Sequence, residues 1–271
     1  MLDELFGTKK PVIGVIHLLP LPGSPRWDGQ MEPILLRAEQ EALALSTGGV
    51  NGIILENFFD APFTRARVDT ATACALALAA RRVMAVCDLP LGINVLRNDG
   101  HTAMAIAATV GARFIRVNVY TGAMVTDQGI IEGEAHELLL YRRQLSAAKN
   151  IKILADVMVK HADPLTPTSN IQQVAKDTVL RGLADGVIVS GVATGSGPKI
   201  EDVRAVREAL PETPVFIGSG TSRENVGALL AIADGVIVAT TFKRQGILEN
   251  PVDVERVQAL VGTVRGIAAE A

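Results

Sequence analysis

The sequence predicts a closed (β/α)8 TIM barrel of the α/β class, and three observations carry that prediction. Short β-branched runs alternate with longer helical patterns from one end of the chain to the other, eight times in all, as parallel βα units do. The run Ala184-Asp185-Gly186-Val187-Ile188-Val189 recurs as Ala233-Asp234-Gly235-Val236-Ile237-Val238, 49 residues or two units later. A looser echo stands at Val50-Asn51-Gly52-Ile53-Ile54-Leu55. Finally, helix-to-strand connections such as Val110-Gly111-Ala112-Arg113 are terse, whereas strand-to-helix loops are long. The competing architecture, an open doubly wound sheet, expects a Gly-rich turn after the first strand, and His17-Leu18-Leu19-Pro20 stands there instead.

The eight strands are expected at 12–17, 53–56, 91–95, 114–118, 153–157, 187–190, 215–218 and 236–239, within one domain spanning 1–271. Only the third needs a choice, because 83–88 also looks strand-like. Val68, Thr72, Leu76, Ala79, Val83 and Val86 hold a helical period, however, and Leu89-Pro90-Leu91 repeats the Thr213-Pro214-Val215 lead-in, where proline is tolerated as a first strand residue. Asp88 therefore falls at the end of the barrel away from any chemistry. Long loops at 18–31, 57–65, 119–133 and 158–169 put the working face at the strands' carboxyl ends.

Composition narrows the function. The 271 residues, 48% of them hydrophobic, suffice to bury roughly three quarters of the unfolded surface. A net charge of −3 and an aromatic content of 4% supply neither the basic field nor the stacking platform that a nucleic-acid partner requires. No uninterrupted apolar run reaches the ~20 residues of a membrane-spanning helix, so an integral membrane protein is not expected. Asp3 and Glu4 stand where a secretory leader would be basic, and the expected location is cytoplasmic. Cys74 and Cys87 lack any CxxC spacing and read as buried reduced thiols. The Ala-rich stretch 70–80 suits close packing against a neighbouring helix or a second subunit, which leaves a homo-oligomer open.

The last two strand-to-helix loops read as a phosphate cup. Gly218-Ser219-Gly220-Thr221 runs straight into a helix whose Thr221 and Glu224 fit a capping box, so amide groups and the positive helix end would converge on an anion; Thr240 and Lys243 follow the last strand. Tight turns alone would also explain the glycines. A third Gly-rich loop, with Thr194 and Gly195, offers either a further ligand contact or a flexible turn.

Strand parity aims His17, Glu56, Arg116, Asn118 and Asp156 into the barrel mouth, in phase with Val15, Ile54, Phe114 and Leu154. Buried charges must neutralise one another or serve a ligand. Their place at the carboxyl ends favours the ligand. Lys160 and His161 follow on a long loop. Lys160 suits an anion clamp, a base of depressed pKa, a Schiff-base amine or a solvated side chain; His17 and His161 suit acid–base work or, with Glu56 and Asp156, a divalent ion. His101 and His136 lie in helical stretches and read as solvated.

Beyond these patterns, the chain resembles the BtpA family of barrels, named for a cyanobacterial photosystem I biogenesis factor and associated with sugar-utilisation clusters. The resemblance runs in order along the chain: Gly14 to Leu18 with Pro20, Pro22 and Gly23; Glu56-Asn57 with Asp60 and Pro62; Leu89 to Asp99; Phe114 to Asn118; Asp127-Gln128-Gly129; Ala155-Asp156-Val157 with Lys160-His161; Gly191 with Thr194-Gly195; Gly218-Ser219-Gly220 with Asn225; and Phe242-Lys243 with Gly246. It implies a fold similar to the ribulose-phosphate-binding barrels.

Three functional expectations follow. The first is an enzyme acting on a small phosphorylated, sugar-like substrate by proton abstraction beside a carbonyl, as isomerase, epimerase or lyase, with no organic cofactor. Asp156 or Glu56 would be the base, His17 or His161 the acid, and Asn94, Arg116 and Asn118 would orient hydroxyls and stabilise an enolate oxygen. The second is a non-catalytic assembly or stability factor that binds a protein partner, the role the family name implies. The third is a metal-dependent hydrolase or epimerase, although no close-spaced ligand motif supports a divalent metal.

Overall fold

In the computed structural model, which describes residues 1–159, 161–165, 170–191 and 197–270, eight parallel strands close into a barrel. They are β1 (Val12–His17), β2 (Gly52–Glu56), β3 (Leu91–Asn94), β4 (Phe114–Val117), β7 (Lys152–Val157), β9 (Gly186–Val189), β10 (Val215–Ile217) and β11 (Gly235–Val238), paired in the order β1-β11-β10-β9-β7-β4-β3-β2. Every expected strand bound lies within one residue of the observed one. Helices α2 (Glu32–Gly48), α3 (Thr70–Val86), α4 (Gly100–Val110), α5 (Ala135–Gln144), α6 (Ile171–Lys176), α7 (Ile200–Ala209), α8 (Val226–Leu230) and α9 (Val254–Glu270) accompany the barrel strands.

Two apolar layers hold the barrel together. Outward strand residues such as Ile53, Ile115, Val117 and Val187 pack against the helices. Inward residues Ile13, Val15, Ile54, Phe114, Leu154, Ile188, Phe216 and Ile237 fill the interior, as strand alternation requires. A short helix, α1 (Leu2–Phe6), closes the floor, with the Phe6 ring edge-on to Phe114 at 5.6 Å and to Phe216 at 6.2 Å. Gly92 makes room for this arrangement: a Cβ there would lie 2.2 Å from Phe114.

The internal repeat has a structural cause on the same floor. Asp185 Oδ2 accepts from the Ile153 amide at 2.9 Å, Asp234 Oδ2 from Val215 at 2.8 Å, and Asn51 Oδ1 from Val12 at 3.0 Å. In each case the side chain satisfies a strand-entry amide that the ladder leaves open. Arg142 and Arg207 pair with the two aspartates.

Four expectations need correction. The loops 119–133 and 158–169 contain an antiparallel sheet of β5 (Ala123–Thr126), β6 (Gly129–Glu132) and β8 (Ala162–Pro164), built on a small apolar cluster of Val119, Met124, Ile131 and Val159. The Thr221/Glu224 capping box does not form: α8 starts only at Val226, and Asn225 instead accepts from the Ser222 amide and donates to the Gly220 carbonyl, both at 2.8 Å. Cys74 is exposed because it lies off the face that α3 packs on the barrel through Ala75, Leu76, Ala79 and Val83, and Cys87, just past the end of α3, packs against the core but stays half-buried. His101 is not simply solvated, since its ring stacks on Tyr141 at 3.7 Å. Among the described residues, no helix is long and apolar enough to cross a membrane.

Candidate active site

One layer of polar side chains crosses four adjacent strand ends. In register, His17 stands beside Glu56, Glu56 beside Asn94, and Asn94 beside Arg116. All four side chains are buried at the carboxyl end of the barrel. His17 Nε2 lies 3.7 Å from Glu56 Oε1, and its ring stacks on Phe58 at 4.4 Å.

Arg116 is the electrostatic centre. Its Nε and Nη2 each donate to Asp156 at 3.0 Å, a two-point contact that fixes the guanidinium plane. Asp156 also accepts from Asn118 Nδ2 at 2.9 Å and from Ser190 Oγ at 3.3 Å. Asn94 Nδ2 donates to Asn118 Oδ1 at 3.0 Å and to the Arg116 carbonyl at 3.0 Å, while Asn94 Oδ1 has no partner among the described residues. Burial works against the charge on Arg116, but Asp156 and then Glu56 outweigh it and hold its pKa above the ordinary guanidinium value. The arrangement keeps a buried cation charged in the barrel mouth. Asp156 is thus engaged on both oxygens beneath Arg116, and Glu56, the other candidate base, lines two cavities formed by the described residues.

Two cavities meet at Glu56 and Arg116. The first, about 270 Å³, is lined by His17, Glu56 and Arg116 on one side and by residues 218–222, 239–241 and Arg256 on the other. Gly218, Ser219, Gly220, Thr221 and Thr240 therefore line the same cavity. Gly218 packs closely: a Cβ there would lie 2.3 Å from Ser190 Oγ and 2.5 Å from Ile188 Cγ2, so a larger residue would have to displace them. Ser219 Oγ accepts from the Gly191 amide at 3.1 Å, and Thr241 Oγ1 donates to the Thr221 carbonyl at 2.6 Å, which pins the loop. Thr221 is 2% exposed, faces the cavity, and its hydroxyl has no partner among the described residues. An unmatched buried hydroxyl is costly unless a ligand completes it.

Lys243 is the clearest correction. It does not reach the cup: its Nζ lies between both Glu41 oxygens at 2.7 Å, fully buried against α2. Burial lowers its pKa, and Glu41 opposes that shift. The cation beside the cup is Arg256, in the first turn of α9, whose Nε donates to the Thr241 carbonyl at 2.8 Å. Nothing in the sequence marks Arg256, because the packing of α9 against α2 and α8 is what brings it there.

The second cavity, about 240 Å³, is lined by Phe58, Phe63, Leu96, Arg97, Asn118, Asp127 and His161 besides the shared Glu56 and Arg116. Asp127 comes from the β5–β6 turn and His161 from the entry to β8, so the small antiparallel sheet forms part of this wall. Burial lowers the pKa of Arg97 while Asp156, Asp127 and Glu56 oppose it. Lys160, Thr194 and Gly195 lie outside the described residues. Among the described residues, no three His, Cys, Asp or Glu side chains converge in a way that would hold a metal ion.

Comparison with known proteins agrees with this architecture. Thiamine phosphate pyrophosphorylase from Pyrococcus furiosus superposes with a TM-score of 0.58 at 15% identity, covering 96% of each chain. N-(5'-phosphoribosyl)anthranilate isomerase from the same organism gives 0.55 at 12% identity, over 95% of this chain and 99% of the other. These likenesses are of fold. The photosystem I biogenesis protein BtpA of Synechocystis is 56% identical over 260 residues, 96% of this chain and 90% of that protein. The sequence pattern of the BtpA family matches residues 8–266, and the chain belongs to that family.

Proposed function

We propose that this BtpA-family barrel is an enzyme acting on a small phosphorylated, sugar-like substrate, by proton transfer beside a carbonyl in an isomerase, epimerase or lyase reaction. One observation carries the reading. A single cavity joins the buried, unmatched Thr221 hydroxyl and the Arg256 cation on one wall to the Glu56–His17 pair on the other. The phosphate docks against residues 218–222, Thr240 and Arg256. Glu56 removes the proton, His17 at 3.7 Å shares and returns it, and Arg116, held charged by Asp156, meets the oxygen on which negative charge grows.

A thermal-shift panel of inorganic phosphate and sugar phosphates tests this. A ligand at a hundred times its dissociation constant adds ~2.7 kcal/mol, a shift on the order of 5 °C for a chain of this size. The expected result is a selective shift that Arg256→Ala removes. The second reading is a non-catalytic assembly factor that binds a protein partner. The 56% identity to a protein named for photosystem I biogenesis favours it. A panel without any shift would select that reading.

A further inference from the structure

Aromatic side chains are scarce in this chain, and their distribution is uneven. Of seven phenylalanines, Phe6, Phe114, Phe216 and Phe242 are buried in the apolar clusters. The other three, Phe58, Phe59 and Phe63, lie on the loop after β2, are only half-buried, and belong to none of the apolar clusters of the described residues. Phe58 and Phe63, with Leu96, form an apolar wall of the second cavity. Groups of both signs, Asp127 and Arg97, line the same cavity. Large apolar faces held outside the core beside reacting groups are what ligand sites use, with a few polar groups to fix orientation.

We infer that the second cavity takes a flat heterocyclic ring carried on the phosphorylated substrate. The ring lies on the phenylalanine wall and turns its polar edge towards Asp127 and Arg97, so that the substrate spans both cavities across Glu56 and Arg116. This rests on the reading of the first cavity as a phosphate-ester site and deepens it. A bare pentose phosphate docked in the first cavity, about 270 Å³, would leave the second, about 240 Å³, open.

Matched probes test it. Ribose 5-phosphate, AMP and UMP share the phosphorylated ribose and differ in the ring. Isothermal titration into the full chain should show a nucleotide binding about tenfold tighter than ribose 5-phosphate, the advantage expected of one ring stacked on an aromatic wall. In Phe63→Ala that ratio should fall towards one, and in Phe63→Leu, which keeps apolar bulk without the flat face, it should fall part of the way. Equal affinities in the unmodified protein, or a nucleotide preference that survives Phe63→Ala, overturn the inference and leave the phosphate-ester reading standing. If neither ribose 5-phosphate nor inorganic phosphate binds, the phosphate-ester reading fails and the inference falls with it.

Discussion

Two buried ion pairs occupy the same half of this molecule, and they do different work. Lys243–Glu41 lies between the loop after β11 and α2, outside the lining of both cavities, and Glu41 is the carboxylate that meets the lysine. Arg116–Asp156 lies in the barrel mouth, where Asp156 is surrounded but Arg116 still borders both cavities and feels a second carboxylate, Glu56. Burial of charge is common to both. What separates a structural pair from a candidate functional one is an open cavity beside a charge that its partner has oriented but not enclosed.

Glu56→Gln should give the largest effect and sharpen that contrast most. It keeps shape and loses the base, so turnover of whichever sugar phosphate the thermal panel identifies should fall by roughly 10²- to 10⁴-fold while Tm moves little. A silent Glu56→Gln in such an assay would break the comparison from the mouth side.

Glu41→Ala probes the other pair. Leaving Lys243 buried without its carboxylate should cost ~3–5 kcal/mol in urea unfolding, and the double variant Glu41→Leu with Lys243→Met should recover most of it. Were Glu41→Ala to unfold like the unmodified chain, the pair would not be structural.

Tyr120 supplies the smallest effect and a control for alkaline measurements. Its hydroxyl donates to the Gly182 carbonyl at 2.6 Å, and burial pushes its pKa from 10.0 up to about 12. The folded state therefore holds the proton more tightly than the unfolded one. This contribution is fully present below pH 10 and lost as pH rises towards about 12. Tyr120→Phe should cost ~1 kcal/mol at neutral pH and remove its part of that slope.

Much of the fold was legible because parallel strands buried on both faces leave continuous β-branched runs, and terse connections mark the floor. The small antiparallel sheet was not, since its strands are three or four residues long and its apolar positions, Met124 and Ile131, pack on a cluster of their own. In the site, strand parity correctly aimed His17, Glu56, Arg116 and Asn118 inward, because alternation is geometric. It could not say that Lys243 turns to Glu41, 202 residues away, or that Asn225 rather than Thr221 closes the turn before α8. Those outcomes depend on which partner the packing brings within reach, and Arg256 enters the mouth by the same route.

On the proposed function, the cavity at residues 218–222 and Arg256 binds a phosphoryl group, while Lys243 serves the scaffold. Isothermal titration of inorganic phosphate into the unmodified chain, Arg256→Ala, and the Glu41→Leu/Lys243→Met double variant tests it most directly. The account predicts binding to the unmodified chain, roughly tenfold weaker binding to Arg256→Ala for loss of one charge-assisted contact, and undiminished binding to the double variant. Phosphate affinity that survives Arg256→Ala and disappears from the double variant would contradict it.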